Sequence, residues 1–440
     1  MTQYLGHPVR GTITPTGPVV GSPGGHDRPA GSGVASGAGP GGGTGRAAWH
    51  RRTAALPLAY LAGLVVVAIA HPFLPSWRWL AIHLLLLGAV TNAIMVWSAH
   101  FTVAVLRSPA PATRRGEAVR LVVLNAGVVA VLAGGTAGGG GAWVGVGGAA
   151  AVAGAVAAHL WWLAARLRAA LAPRFTVTVH YYLAAAAALL SGIPVGAWML
   201  VADGHARPRL LLFHAHVNLL GWVVLTVLGT LLTLWPTVLR TRMVDGAVRA
   251  ATRALPVAVA GLVLLGAGLL GWWRPVAAAG LALAATAVVI IGVPAVRTAR
   301  TRPPASFATW SIAAALGWLL VALAIDAWAL LTASDDPAAA LDRFGGVLVP
   351  LLAGFVGQVL LGALSYLLPM ALGGGPAVVR RHTAVMERHW AQRVTTANLA
   401  LLGFLLPVPP YVRITTSLLV LVVLVQFLVP AARLLLTTRR

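Results

Sequence analysis

The sequence contains no cysteine and no lysine, and only 9% of its residues are charged. Without cysteine the chain forms no disulfide, thiolate zinc site or iron–sulfur cluster, so any metal must be held by histidine, carboxylate or carbonyl groups. Hydrophobic residues make up 59% of the chain. This composition excludes a water-soluble globular protein, in which about a quarter of the residues are charged. We therefore predict an all-α, polytopic integral membrane protein.

Sequence signatures of soluble enzymes are also missing. The chain has no Walker loop, no GxSxG, no HExxH and no glycine-rich Rossmann motif in the required context. The net charge of +23 comes entirely from arginine. It is explained below by membrane topology, so we predict no nucleic-acid partner.

Two regions differ sharply in composition. Residues 1–48 are rich in Gly, Pro, Ser and Thr and have few long apolar side chains, which predicts a disordered cytoplasmic tail. The tail contains no short apolar core with a cleavage site, so we expect no removable signal peptide. Residues 49–440 form the predicted transmembrane domain.

Apolar segments of about 20 residues, the length that spans a bilayer, alternate with short arginine-bearing loops. Twelve are predicted, at about 54–70, 79–106, 118–137, 142–164, 176–201, 209–236, 252–271, 275–296, 307–332, 344–372, 395–410 and 412–436. With the amino terminus inside, 26 of the 32 arginines fall on the inner side. This asymmetry predicts a cell-membrane protein with both termini cytoplasmic.

The second and sixth segments resemble each other, which indicates a repeat with a period of four segments. Aligning His83 with His216 also aligns Gly88 with Gly221, and a weaker third copy in the tenth segment places Gly362 with these glycines and Gly357 with the histidines. The separations are 133 and 141 residues. We therefore predict three pseudo-repeats of four helices each, although leucine-glycine strings also recur by chance in membrane helices.

Histidines within the segments fall into two layers, and ionisable groups at such depths usually face the bundle interior, a cavity or a cofactor. His83, His214, His216 and Asp326 form an outer layer. His100, His159 and His180 form an inner layer, for which structural roles are the simpler interpretation. Positions two residues apart on a helix point about 200° apart, so one ion cannot bind both His214 and His216, but each can face a different neighbouring helix.

Two strings carry a resemblance to a known family: WRWLAIHLLLLGAVTNAIMVWSAHF at 77–101 and FHAHVNLLGWVVLTVLGTLLTLWPTVLRTRM at 213–243. They are similar to the membrane half of actinobacterial copper oxidases, or multicopper-oxidase-domain proteins, over most of residues 50–436. The chain more distantly resembles subunit I of the haem-copper oxidases and NnrS-like membrane proteins. His83 matches the family's histidine on helix 2. The tenth segment has no histidine and the seventh no histidine pair, so the resemblance does not imply a complete haem-copper oxidase.

The resemblance and the histidines together suggest a membrane redox protein, an oxidoreductase component if it is an enzyme. Haem b, or alternatively copper, would be bound by His83 and His216, with His214 as second ligand or second site. Arg78, Arg207 and Arg209 stand at the outer mouth, where haem propionates need cationic partners. The predicted partner is an outer-face multicopper or cupredoxin protein. The alternatives are a transporter or metal-handling protein with a His/Asp-lined pathway, and a cofactor-free assembly subunit.

Overall fold

A computed structural model describes residues 41–109, 111, 113–171 and 175–437, and these contain helices and no β-strand. Eleven described helices are long and apolar enough to cross a membrane. They are α1 (Ala48–Phe73), α2 (Trp77–Val105), α3 (Arg115–Ala137), α4 (Gly139–Arg168), α5 (Thr176–Val201), α6 (Arg207–Val238), α7 (Ala247–Gly271), α8 (Arg274–Thr301), α9 (Phe307–Thr332), α10 (Pro337–Leu372) and α13 (Pro410–Thr437). The shorter α11 (Gly375–Met386) and α12 (Trp390–Leu405) lie between α10 and α13. The chain is thus an all-α polytopic membrane protein.

The predicted eleventh span, 395–410, begins and ends five residues earlier in the structure and is too short to cross the bilayer. It corresponds to α12, whose 16 residues extend about 24 Å at 1.5 Å per residue, against a hydrocarbon core of about 30 Å. The helix ends at Leu405, shortly before the prolines at 407 and 409, which cannot supply the backbone N–H groups of a continuing helix.

At the other end of the chain, helical structure begins at Gly41, within the predicted tail, while residues 1–40 lie outside the described part.

Three helices form the interior of the bundle. At least 61% of the apolar stretch is buried in α2, α6 and α10, whereas 44% or less is buried in every other described span. Outer helices expose one side to lipid, so their buried share stays below half. The interior helices are the second helix of each predicted repeat.

A π-helical segment occurs once in each interior helix, at Leu84–Val90, Val217–Val224 and Pro350–Gly357. The three segments begin 133 residues apart, which agrees with the predicted alignment of α2 with α6. In α10 the same spacing makes Gly354, not Gly362, equivalent to Gly88 and Gly221, and Val349 rather than Gly357 takes the histidine position. The predicted register of the third copy was wrong because α10 carries two leucine-glycine strings eight residues apart.

The equivalent glycines allow close packing within each repeat. A Cβ atom added to Gly88 would lie 2.4 Å from Tyr60 Cδ1 on α1, and one on Gly354 would lie 2.7 Å from Trp318 Cγ on α9. In the middle repeat a Cβ on Gly221 would lie 2.4 Å from the Cβ of Ala188 on α5. In each repeat, therefore, the first helix packs directly against the π segment of the second.

Side-chain amides reinforce this arrangement in the first and third repeats. Asn92 donates to the carbonyl of Gly88 at 2.8 Å and exchanges hydrogen bonds with Asn125 on α3, which also accepts from the Tyr60 hydroxyl at 2.8 Å. The third repeat has the same pattern with other residues. Gln358 donates to the Gly354 carbonyl at 3.0 Å and exchanges hydrogen bonds with Asn398 on α12, which accepts from the Trp318 indole at 2.7 Å.

Candidate functional site: two histidines at one apolar cavity

A cavity of about 400 Å³ lies near the end of the bundle where α2, α6 and α10 begin, which is the predicted outer end. Its walls come from α2, α3, α4, α5, α6 and α10 and are mostly apolar. The residues with polar groups that line it are His83, Thr91, Arg207, His214 and Asn218, with the indoles of Trp79 and Trp222. An apolar cavity of this size with a few convergent polar groups is typical of a small-molecule or cofactor site.

His83 enters the cavity from α2 in a fixed orientation. Its Nδ1 lies 2.8 Å from the carbonyl oxygen of Trp79 one turn earlier. The imidazole also stacks on the Trp79 indole, with ring centroids 4.1 Å apart. Because a carbonyl only accepts hydrogen bonds, Nδ1 carries the proton and the Nε2 lone pair is left available. No described residue hydrogen-bonds Nε2.

His214 enters the same cavity from α6. Its Nδ1 lies 2.9 Å from the carbonyl oxygen of Gly192 on α5, so this ring also has its proton on Nδ1. A Cβ on Gly196 would lie 2.5 Å from His214 Cε1, so the ring occupies space that only glycine leaves open. The amide nitrogen of Asn218 is 3.3 Å from both ring nitrogens, so Nε2 receives at most one long hydrogen bond.

His216 is engaged elsewhere, at 2% exposure. Its Nε2 lies 2.7 Å from an Asp326 carboxylate oxygen on α9, and its Nδ1 lies 2.7 Å from the Leu212 carbonyl. The imidazole also packs on Phe344 of α10, with ring centroids 4.5 Å apart. Both ring nitrogens therefore have protein partners. His214 and His216 face different neighbours of α6, as their spacing predicts.

Of the three arginines predicted at the mouth, only Arg207 lines the cavity. Its guanidinium bonds Asp203 at 2.5 Å and the carbonyls of Met199 and Ala202. Arg78 lies over the Trp77 indole, and Arg209 donates to the Leu270 carbonyl at 3.4 Å. Arg207 is thus the cation that the structure places beside the cavity.

The inner-layer histidines are spread over several helices. His159 on α4 is buried and its Nε2 lies 2.9 Å from the Ser98 hydroxyl of α2. His180 is exposed and its Nδ1 bonds the Thr176 carbonyl of its own helix at 3.0 Å. His100 contacts the ring of His50, a residue without a predicted role. Among the described residues, no group of three or more His, Asp or Glu side chains is placed to hold one metal ion.

The cavity also has contributors that were not predicted from the sequence, among them Asn218 and Gly196. Asn218 lies four residues after His214, on the same helical face, and this spacing was a usable signal. Gly196 had no sequence signal, because its role depends on the approach of α6 to α5.

Comparison with known proteins finds neither a family model nor a curated protein that matches the chain. The function must therefore be inferred from the cavity and its histidines.

Proposed function

We propose that the chain is a membrane redox protein that binds haem b in the outer cavity through His83 and His214 and exchanges electrons with a copper protein at the outer surface. The observation that carries the proposal is the pairing of two histidines from different helices at one cavity. Each has its Nδ1 bound to a backbone carbonyl.

The hydrogen bonds prepare both rings as ligands. A neutral imidazole with its proton on Nδ1 presents the lone pair of Nε2, and the accepting carbonyl fixes the ring and raises its basicity. Histidine is a common axial ligand of haem iron. Protein sites for copper usually draw on three or more side chains, and the described residues offer no group of three. This favours haem over copper.

The surroundings also suit a largely apolar cofactor with anionic substituents. Leu86, Leu189 and Phe344 are among the apolar side chains that would exclude water, and Arg207 would face the anionic groups. When bound, haem supplies one-electron transfer at the iron. The protein's part is to hold the two imidazoles and to keep the site dry.

The pair of His216 and Asp326 has a supporting role in this proposal. It links α6 to α9 two residues after His214 and would hold that part of α6 in place. A His/Asp-lined transport pathway would need these groups at the cavity wall together with His83 and His214. Instead they bond each other, with side chains 2% and 3% exposed, and neither lines the cavity. This favours a binding protein over a transporter.

An optical spectrum of the purified full chain, oxidised and then reduced, tests the proposal. We expect a Soret band with sharp reduced α and β bands, and its loss in His83→Ala and in His214→Ala. His180→Ala is the matched control, because this exposed ring bonds only its own helix, and it should leave the spectrum unchanged. A colourless wild-type protein, or a spectrum that survives both cavity substitutions, would contradict the proposal.

A further inference from the structure

The two equivalent histidines meet different residues where one repeat packs on the next. We call the place where the second helix of one repeat packs on the first helix of the next a junction; α2 packs on α5 at the first junction, and α6 packs on α9 at the second. His83 and His216 hold equivalent places, and each Nδ1 bonds the carbonyl oxygen four residues earlier. The Nε2 of His216 lies 2.7 Å from an oxygen of Asp326. The Nε2 of His83 has no hydrogen-bond partner in the part of the chain that the structure describes, and this ring lines the outer cavity.

Gly196 on α5 takes the place that Asp326 has on α9. Ala188 and Trp318, which contact the equivalent glycines of the two π segments, are 130 residues apart. Gly196 and Asp326 are separated by the same 130 residues, and they begin the similar strings GAWML and DAWAL. Packing and sequence therefore agree that the second repeat carries a glycine where the third carries a carboxylate.

The helix that completes each junction differs as well. His214 on α6 has Val347 on α10 as its equivalent, 133 residues later. The ring of His214 fills the space that Gly196 leaves open, whereas Val347 is fully buried and offers no second imidazole. The first junction thus combines two histidines with a glycine, and the second combines one histidine with an aspartate and a valine.

We propose that this position of the first helix determines which junction accepts a ligand. Gly196 keeps the Nε2 of His83 available, whereas Asp326 closes the equivalent site at the second junction. A ring nitrogen that shares a proton with a carboxylate has no lone pair left for a metal. Gly196 is therefore a specificity-determining residue of the outer cavity, and the chain binds one ligand rather than two. The inference rests on the proposed function only in taking that ligand to be haem.

Gly196→Asp tests the inference, with Gly196→Ala as its matched control. Both substitutions place a Cβ atom against the ring of His214, but only the first adds a carboxylate that can bond His83. The full chain, produced without haem, is treated with diethyl pyrocarbonate, which acylates an imidazole nitrogen with a free lone pair, and mass spectrometry gives the labelling rate at His83. We expect labelling in the wild type and in Gly196→Ala, and labelling slower by about tenfold in Gly196→Asp, the factor that a hydrogen bond to a charged group implies. An unlabelled His83 in the wild type, or equal rates in the two variants, would overturn the inference.

Asp326→Gly tests the second junction in the opposite direction. It removes the partner of the His216 Nε2, so labelling of His216 should rise above that of the wild type. Asp326→Asn keeps an acceptor oxygen and is the matched control, in which His216 should stay protected. Labelling of His216 that does not rise in Asp326→Gly would contradict the role of Asp326.

The haem spectrum separates this inference from the proposed function. A colourless wild type whose His83 labelling still falls in Gly196→Asp would refute haem binding but keep the role of Gly196. A wild-type haem spectrum that Gly196→Asp retains at full intensity would refute the role of Gly196 and leave the haem site standing.

Discussion

At the scale of single residues, the cavity depends on contacts that fix each imidazole. His83 and His214 each donate a hydrogen bond from Nδ1–H to a backbone carbonyl, while both ring nitrogens of His216 bond groups within the protein. The sequence predicted all three as candidates and placed them at similar depth. It paired His83 with His216 and gave His214 only as second ligand or second site, whereas the cavity is lined by His83 and His214. Helical spacing gives the angle between two side chains but not the identity of the neighbours they meet.

Gly196→Ala should disturb the cavity without removing a histidine. The new Cβ would lie 2.5 Å from His214 Cε1 and 3.0 Å from Nδ1, so the ring must move and its bond to the Gly192 carbonyl must weaken. We expect a weaker or shifted Soret band in the oxidised protein. Gly147→Ala is the control, because an added Cβ there has no atom within 4 Å. Identical spectra for the two variants would show that the ring is not held by this contact.

Asp326→Ala should destabilise the protein. It leaves the Nε2 of His216 without its partner in a buried position, at a cost of about 1–3 kcal/mol for an unsatisfied polar group. Thermal unfolding in detergent should show a lower midpoint. Asp326→Asn keeps an acceptor oxygen and should lose less stability than the alanine variant. Equal midpoints for wild type and Asp326→Ala would mean that the hydrogen bond contributes nothing to folding.

At the scale of elements, the three π-helical segments define the repeat more clearly than the residues do. Their starts are 133 residues apart. The glycine recurs in all three segments, whereas the amide recurs only in α2 and α10 and the histidine only in α2 and α6. The four-helix period and the equivalence of α2 and α6 could be predicted from sequence. The register of α10 could not, because the position of a π segment depends on packing against the first helix of the repeat, here Trp318.

Gly88→Ala and Gly354→Ala should each destabilise the bundle by about 1–3 kcal/mol, the usual cost of overpacking a close contact. Each new methyl group would overlap an aromatic side chain of the preceding repeat helix, Tyr60 or Trp318. Gly147→Ala is again the matched helical control and should be neutral or slightly stabilising. The measurement is the unfolding midpoint of the three variants, and a Gly354→Ala midpoint equal to that of Gly147→Ala would refute the structural register.

At the scale of the whole molecule, composition alone predicted the fold class, and hydropathy predicted every described long span. The segment predicted at 395–410 is the one that does not form a full span: its helix, α12, has 16 residues. Hydropathy extended this segment to residue 410 because the prolines that follow α12 lie in a continuous apolar stretch. The orientation in the membrane remains a prediction from the distribution of arginine.

The absence of native cysteine allows a direct test of that orientation. Single substitutions Gly204→Cys and Ser334→Cys lie in exposed loops predicted outside, and Arg242→Cys and Arg388→Cys lie in exposed loops predicted inside. A membrane-impermeant maleimide should label the first two in intact cells, and the other two only after permeabilisation. The reverse labelling pattern would contradict a cytoplasmic amino terminus.

The most direct test of the central claim, that His83 and His214 hold one haem between them, is chemical rescue by imidazole. His83→Gly and His214→Gly each remove one ring and leave space for a free imidazole. We predict that each variant loses the six-coordinate, low-spin spectrum of the wild type and regains it when imidazole is added, whereas His180→Gly never loses it. A wild-type protein without this spectrum, or glycine variants that keep it without added imidazole, would contradict the account.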